Sequence, residues 1–271
     1  MRIVEAFPLV FERAYPAIDP KTPMMAALPL LRFHEIDALP LSFDSGRKHG
    51  GIFGASCLAR IVTLKPKGFS AFLQQPCEEV SGPITTVQAK AALSHLLDIF
   101  LETRFGFARV VESKGVGALL SLDDAIGLYD EGVIGSALRA KDVASKAFSL
   151  PRNSTLRGTL EAMFARRIRR VFLTGTDDFL WDRGIIEYLF SPAVLAKVSQ
   201  DPSYDPLETT ISDLATIRAR RGLPEMTLGE AAGALRVQRG QCLTFGGKVV
   251  TPWDLVMKPW KAKKLKIRAS R

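Results

Sequence analysis

The sequence predicts an α/β protein built from four copies of one β-α-β-β-α unit. Three observations carry this. An Ala/Leu-rich helix signal opened by Thr recurs at Thr22, Thr86, Thr155 and Thr227. Behind each come two short apolar stretches parted by turn chemistry, then a second helix signal. The spacing is regular, roughly 60 to 70 residues, as expected of a repeated supersecondary unit. One copy alone buries too little to be stable. The copies are therefore expected to pair, one with two and three with four, each pair about a pseudo-twofold axis.

In the first copy Thr22-Pro23 opens a helix, Thr as the cap and Pro at the tolerated first position. Ala38–Leu41 and Gly51–Phe53 are its strands, with turn residues at Asp44-Ser45-Gly46. In the second copy Thr86 opens a helix through Leu93, and Phe107–Val111 and Gly117–Leu120 are strands around the polar turn Glu112–Gly115. A helix follows from Ser121. In the third, Thr155–Phe164 carries an apolar stripe at helical spacing. Val171–Leu173 is a strand, Gly175–Asp178 a hairpin turn, and Ile185–Val198 one last helix. In the fourth, Thr227 and Glu230 form a capping-box signature. Gln241–Phe245 and Lys248–Val250 are strands about Gly246-Gly247, and Thr251-Pro252 opens the final helix. Gly132–Leu138 reads as a connector between halves.

The chain has 271 residues, 47% of them hydrophobic, enough for a sizeable core. Lys and Arg number 37 against 28 acids, a net +9. Seven of those cations fall in Lys258–Arg271, which holds no acid, so the rest carries 30 cations against 28 acids. The basicity belongs to a C-terminal tail and not to the body. No apolar run reaches the ~20 residues of a membrane helix, and the N-terminus lacks a signal-peptide pattern. A cytoplasmic protein with no membrane span is expected. Cys57, Cys77 and Cys242 form no CxxC pair, and His34, His49 and His95 are scattered. Buried structural thiols and no metal site are expected.

Several stretches make this repeat resemble the cystathionine β-synthase (CBS) domain. They are Leu138–Ala144, Thr155-Leu156-Arg157, Arg166–Val171 and Gly247–Leu255. The resemblance implies four CBS motifs in two Bateman modules. Those modules would span residues 12–131 and 138–258, with residues 259–271 as the basic tail.

In that family a strand ending in Gly and apolar residues delivers Thr or Ser, then Asp three residues on, to a helix start. The hydroxyl and backbone N–H groups there face an anion, which the helix dipole favours. The resemblance implies that the Asp takes the ribose hydroxyls of an adenosine ligand. Copy two matches with Gly117, Ser121 and Asp124, and copy four with Gly247, Thr251 and Asp254. Copy three departs, with Trp181 and Gly184 at the two positions, and copy one departs with Gly54 and Cys57. Basic residues before the strand after the first helix are expected phosphate contacts: Arg169 and Arg170 in copy three, Arg109 in copy two. The alternative reading stays open: Ser/Thr-x-x-Asp is also an ordinary helix cap, and Arg166–Arg170 is also a helix end whose cations offset its dipole.

The Gly-rich stretch Ser45–Gly51 lacks phosphate-loop spacing, and the acidic pairs Asp123-Asp124 and Asp177-Asp178 have no catalytic partner. No catalytic domain fits outside the repeats. The expected function is a non-enzymatic regulator with no cofactor. It would bind AMP, ADP, ATP or S-adenosylmethionine between paired repeats and signal to a protein partner or as a homodimer. Two alternatives are a nucleic-acid-binding regulator acting through the tail, and a ligand-free structural adaptor.

Overall fold

The computed structural model describes residues 1–12, 16–34, 36–42, 50–64, 68–112, 117–130, 138–237 and 240–269, without the side chains of 12, 32, 130 and 264–269. The turn expected at 44–46, most of the glycine-rich stretch and nearly all of the connector lie outside those residues, as does the turn segment 113–115.

After a short helix α1 (Ile3–Ala6), the first repeat runs α2 (Met24–Phe33), β1 (Ala38–Pro40), β2 (Gly50–Phe53), α3 (Gly54–Val62), α4 (Gly68–Gln74), α5 (Cys77–Val80) and β3 (Gly82–Pro83). The second runs β4 (Thr86–Gln88), α6 (Leu93–Thr103), β5 (Phe107–Val111), β6 (Gly117–Ser121) and α7 (Leu122–Asp130). The third runs β7 (Ser145–Lys146), β8 (Ser149–Leu150), α8 (Leu156–Arg166), β9 (Arg170–Leu173), β10 (Asp178–Trp181), α9 (Asp182–Leu189) and α10 (Pro192–Gln200). The fourth runs β11 (Ile217–Arg218), β12 (Arg220–Arg221), α11 (Leu228–Arg236), β13 (Leu243–Phe245), β14 (Lys248–Val250) and α12 (Pro252–Ala269).

Two compact units result, and each collects repeats that are not consecutive. One holds residues 15–84 and 148–218, the first and third repeats together with β11; the other holds 1–14, 85–147 and 219–271, the second and fourth together with β7. The grouping 12–131 and 138–258, drawn from order along the chain, differs from these units of close packing.

In the first-and-third unit the sheets are β1-β2-β3 and β11-β10-β9-β8. Helix α3 buries Gly54, Cys57, Leu58 and Ile61, one face at i, i+3, i+4 and i+7. That face packs on α8 and α9. Thr155 caps α8 as expected, accepting from the Gly158 N–H at 3.2 Å. The single helix expected over 185–198 is two. Pro192 supplies no N–H to continue α9, and Ser191 caps a new helix by accepting from Val194 N–H at 3.3 Å.

In the second-and-fourth unit the sheets are β4-β5-β6 and β12-β13-β14-β7. Thr86 does not open a helix. It begins β4, which pairs in parallel with Arg109–Val111, and α6 starts at Leu93. The β-branched pair Thr86-Val87 favours the strand. Phe100 on α6 is fully buried, and burying a side chain of that size is worth ~2–3 kcal/mol. Ala125, Ile126, Leu128 and Tyr129 form the buried face of α7, which packs on α11 and α12.

The three cysteines are free and buried. Burial pushes the Cys57 thiol up, and its neighbour Cys77 adds to this; burial raises Cys77 to about 12. Both stay protonated and unreactive. No described helix is long and apolar enough to cross a membrane. Lys261 and Lys263 are exposed, but the backbone is helical through Ala269. Trp260 holds that helix to the unit by donating its indole N–H to Asp98 at 2.9 Å.

Candidate functional site

Two helix starts in the second-and-fourth unit carry the expected Ser/Thr-x-x-Asp pattern. In repeat two, β6 ends at Ser121 and α7 begins at Leu122. The Ser121 N–H and hydroxyl donate to Asp124 Oδ2 at 2.8 and 2.9 Å. In repeat four, the Thr251 N–H and hydroxyl donate to Asp254 Oδ2 at 3.0 and 2.8 Å. Both are therefore helix caps, whatever else they do.

The two differ in what surrounds the carboxylate. Asp254 is 3% exposed. Its other oxygen accepts from the Ser145 hydroxyl at 2.6 Å and lies 3.1 Å from Lys258 Nζ. Lys258 also donates to Val143 O at 2.6 Å and to Ser145 Oγ at 2.9 Å. This closed network ties the start of α12 to the strand β7. Asp124 is half-buried and more reachable.

Arg109 does not join Ser121. It lies opposite Leu119 in the β5–β6 ladder, and its Nε sits 3.2 Å from where a Cβ on Gly117 would be. Ser121 pairs with Phe107 at the other end of that ladder. Arg169 and Arg170 belong to the first-and-third unit. A cation missed by the sequence reading stands nearer α12. Arg104, in the left-handed conformation that ends α6, lies 5.8 Å from the Trp253 ring centroid. Nothing in the pattern Thr103-Arg104-Phe105 signals this, because the contact is tertiary.

The corresponding helix starts in the first-and-third unit are filled. Gly54 begins α3, and a Cβ there would stand 2.5 Å from Ile186 Cδ1. At the start of α9 the Trp181 ring lies 2.8 Å from the Cβ position of Gly184. Around them sits an ion cluster. Arg169 donates Nε to Asp182 Oδ2 at 2.6 Å and Nη2 to Asp37 Oδ1 at 2.9 Å. Arg183 Nη2 lies 3.1 Å from the same Asp37 oxygen. Burial pushes the Asp37 carboxyl up, but Arg183 and Arg169 outweigh it and hold the group well below the usual carboxylate range. Burial disfavours the charged Arg169, but Asp182 and Asp37 more than reverse that. The remaining space, lined also by Leu31, Ile36 and Ile186, is ≈ 20 Å³. That is room for about one water.

No protein-family model matches the sequence, and no curated protein does. Solved structures do. The architecture is the CBS fold in four repeats. It is shared with a Methanocaldococcus jannaschii protein described as a candidate archaeal homologue of g-AMPK. That protein is 14% identical, with a TM-score of 0.79 over 94% of this chain and 99% of that one. This likeness is one of fold. Two-repeat-sized structures match about half of the chain. A CBS-domain protein of Agrobacterium tumefaciens is 16% identical over 47% of this chain and 98% of its own, TM-score 0.39. A Pyrobaculum aerophilum CBS domain protein complexed with AMP is 14% identical over 46% and 89%, TM-score 0.37.

Proposed function

We propose that this protein is a non-enzymatic regulator that binds an adenine nucleotide or S-adenosylmethionine in its second-and-fourth unit and passes the bound state to a partner. The observation that carries the reading is the helix start at Ser121–Asp124. A strand ending Gly117-Ala118-Leu119-Leu120 delivers a hydroxyl and a carboxylate to the first turn of α7, beside backbone N–H groups suited to phosphate. Support also comes from the four-repeat fold shared with a protein described as a candidate g-AMPK homologue. Asp124 is the ribose contact in this reading, and Ser121 and Thr251 are the phosphate-side hydroxyls. Asp254 holds the second helix start in place.

The switch lies in how α7 packs on α12. A ligand at either helix start biases that packing only as far as it binds one arrangement better than another. The test is a thermal-shift series with AMP, ADP, ATP and S-adenosylmethionine. A ligand of the native state raises the melting temperature with concentration. No rise with any of the four removes the reading.

A second reading has its own observation. The tail continues α12 as a helix anchored by Trp260, with Lys261 and Lys263 exposed. An anchored run of cations suits a nucleic-acid backbone. Binding through it would fall steeply with salt.

A further inference from the structure

We propose that the first-and-third unit occupies its own anion site: the carboxylates of Asp37 and Asp182 sit on Arg169 and Arg183 where a phosphate-bearing ligand would otherwise sit. Two arginines converge beside the start of α9, and Asp182 is that helix's first residue. Paired guanidiniums with planar donor forks are the usual receptor for phosphate. Here both guanidinium bonds of Arg169 end on carboxylates, and Arg183 is ion-paired with the same Asp37.

The carboxylates are not surface groups that swing aside. The side chains of Asp37 and Asp182 are 8% and 5% exposed, and Arg183 is 12% exposed. Asp182 Oδ1 also accepts from the Arg183 N–H at 3.0 Å. A competing anion would have to displace acids that are then left without their cations in a buried place. Among the described residues the cluster sets two carboxylates against two guanidiniums, which weakens the pull on a further anion. Gly54 and Ile186 close the neighbouring helix start, and only a water-sized space remains. Arg169, 44% exposed, covers the cluster from outside.

This unit is then constitutively closed, and the ligand response falls to the other one. That last step rests on the nucleotide reading above; the self-occupied site does not.

The probe is inorganic phosphate, titrated by calorimetry into the full-length protein and into Asp37→Asn, Asp182→Asn and Asp37→Asn/Arg183→Gln. The single variants should bind phosphate about tenfold or more tightly than the wild type, because a charge-assisted pair is freed. The double variant should lose that gain. Circular dichroism on each confirms folding, and Asp37→Asn keeps the shape of the side chain. Single variants that bind phosphate no better than the wild type overturn the proposal. So does a wild-type phosphate or AMP site that Arg169→Gln abolishes, an arm that needs no aspartate variant to fold. If AMP binds nowhere in the wild type, the nucleotide reading falls, and the phosphate gain in Asp37→Asn still decides this one.

Discussion

Asp254 accepts a 2.6 Å hydrogen bond from Ser145, and this one contact joins the first turn of α12 to a strand that precedes it by more than a hundred residues. The carboxylate that matches a ligand motif in sequence is thus part of a buried network that includes Lys258 and Thr251.

Removing it should cost stability whether or not a ligand is present. Asp254→Ala removes the acceptor of the Ser145 hydroxyl and the ion-pair partner of the partly exposed Lys258 and uncaps α12, and should lower unfolding free energy by about 1–3 kcal/mol. Thr251→Ala should cost about 1 kcal/mol, the usual loss of a cap. Urea denaturation checks both. An Asp254→Ala midpoint equal to the wild type would mean that the network contributes nothing.

The ion cluster of the other unit sets a pH dependence. The folded Asp37 carboxyl lies below its unfolded value of about 3.9. A depressed carboxyl contributes stability that is complete above the unfolded pKa and is lost as pH falls toward the folded one. Between about pH 5 and pH 2.5 the wild type should therefore lose more stability than Asp37→Asn does. Equal slopes would separate Asp37 from acid unfolding.

Gly54 stands at the position where the second and fourth repeats have Ser121 and Thr251, and the Ile186 side chain fills the space that a side chain there would take. Gly54→Thr would place a Cβ 2.5 Å from Ile186 Cδ1, in a site where Ile186 is 4% exposed. The overpacking should cost about 1–3 kcal/mol. Ile186→Ala should cost less in the Gly54→Thr background than alone, because it makes room for the new side chain. Additive costs in the double-mutant cycle would refute the contact.

The tail can be divided at Trp260. Truncation after Lys258 removes the indole bond to Asp98 and should cost about 1–2 kcal/mol. Truncation after Lys263 should cost no more than about 0.5 kcal/mol, as for a surface change. Only the latter isolates the role of the charge run. If the tail binds nucleic acid, that truncation should weaken binding and flatten its salt dependence.

The repeat was legible because its signals are local. Thr155 and Thr227 cap where capping chemistry puts them, and Thr227 with Glu230 forms the full box, its hydroxyl and N–H donating to Glu230 at 2.9 and 2.7 Å. Thr86 misled because a Thr before an Ala-rich stretch serves either state, and pairing with Arg109–Val111 decided for a strand. Ser191-Pro192 was a stop and restart inside an apolar run, and it is readable once the Pro is weighed.

The site was half legible. Ser121, Asp124, Thr251 and Asp254 stand at helix starts as their spacing implies, because i to i+3 is a local relation. What Asp254 and Arg169 bind is not local. Arg169 meets Asp37 from 132 positions away, and no periodicity in sequence encodes that approach. Asp37, with neither a motif nor a glycine beside it, gave no signal at all.

The account turns on whether the second-and-fourth unit holds an adenosine ligand at Asp124. Calorimetric titration of AMP and ATP into the wild type and Asp124→Ala tests this most directly. The account predicts saturable binding to the wild type. It also predicts a loss of about 1.5–3 kcal/mol in Asp124→Ala, from the charge-assisted contact to ribose. Equal affinity in the two proteins, or no heat of binding in the wild type for either nucleotide or for S-adenosylmethionine, would contradict it.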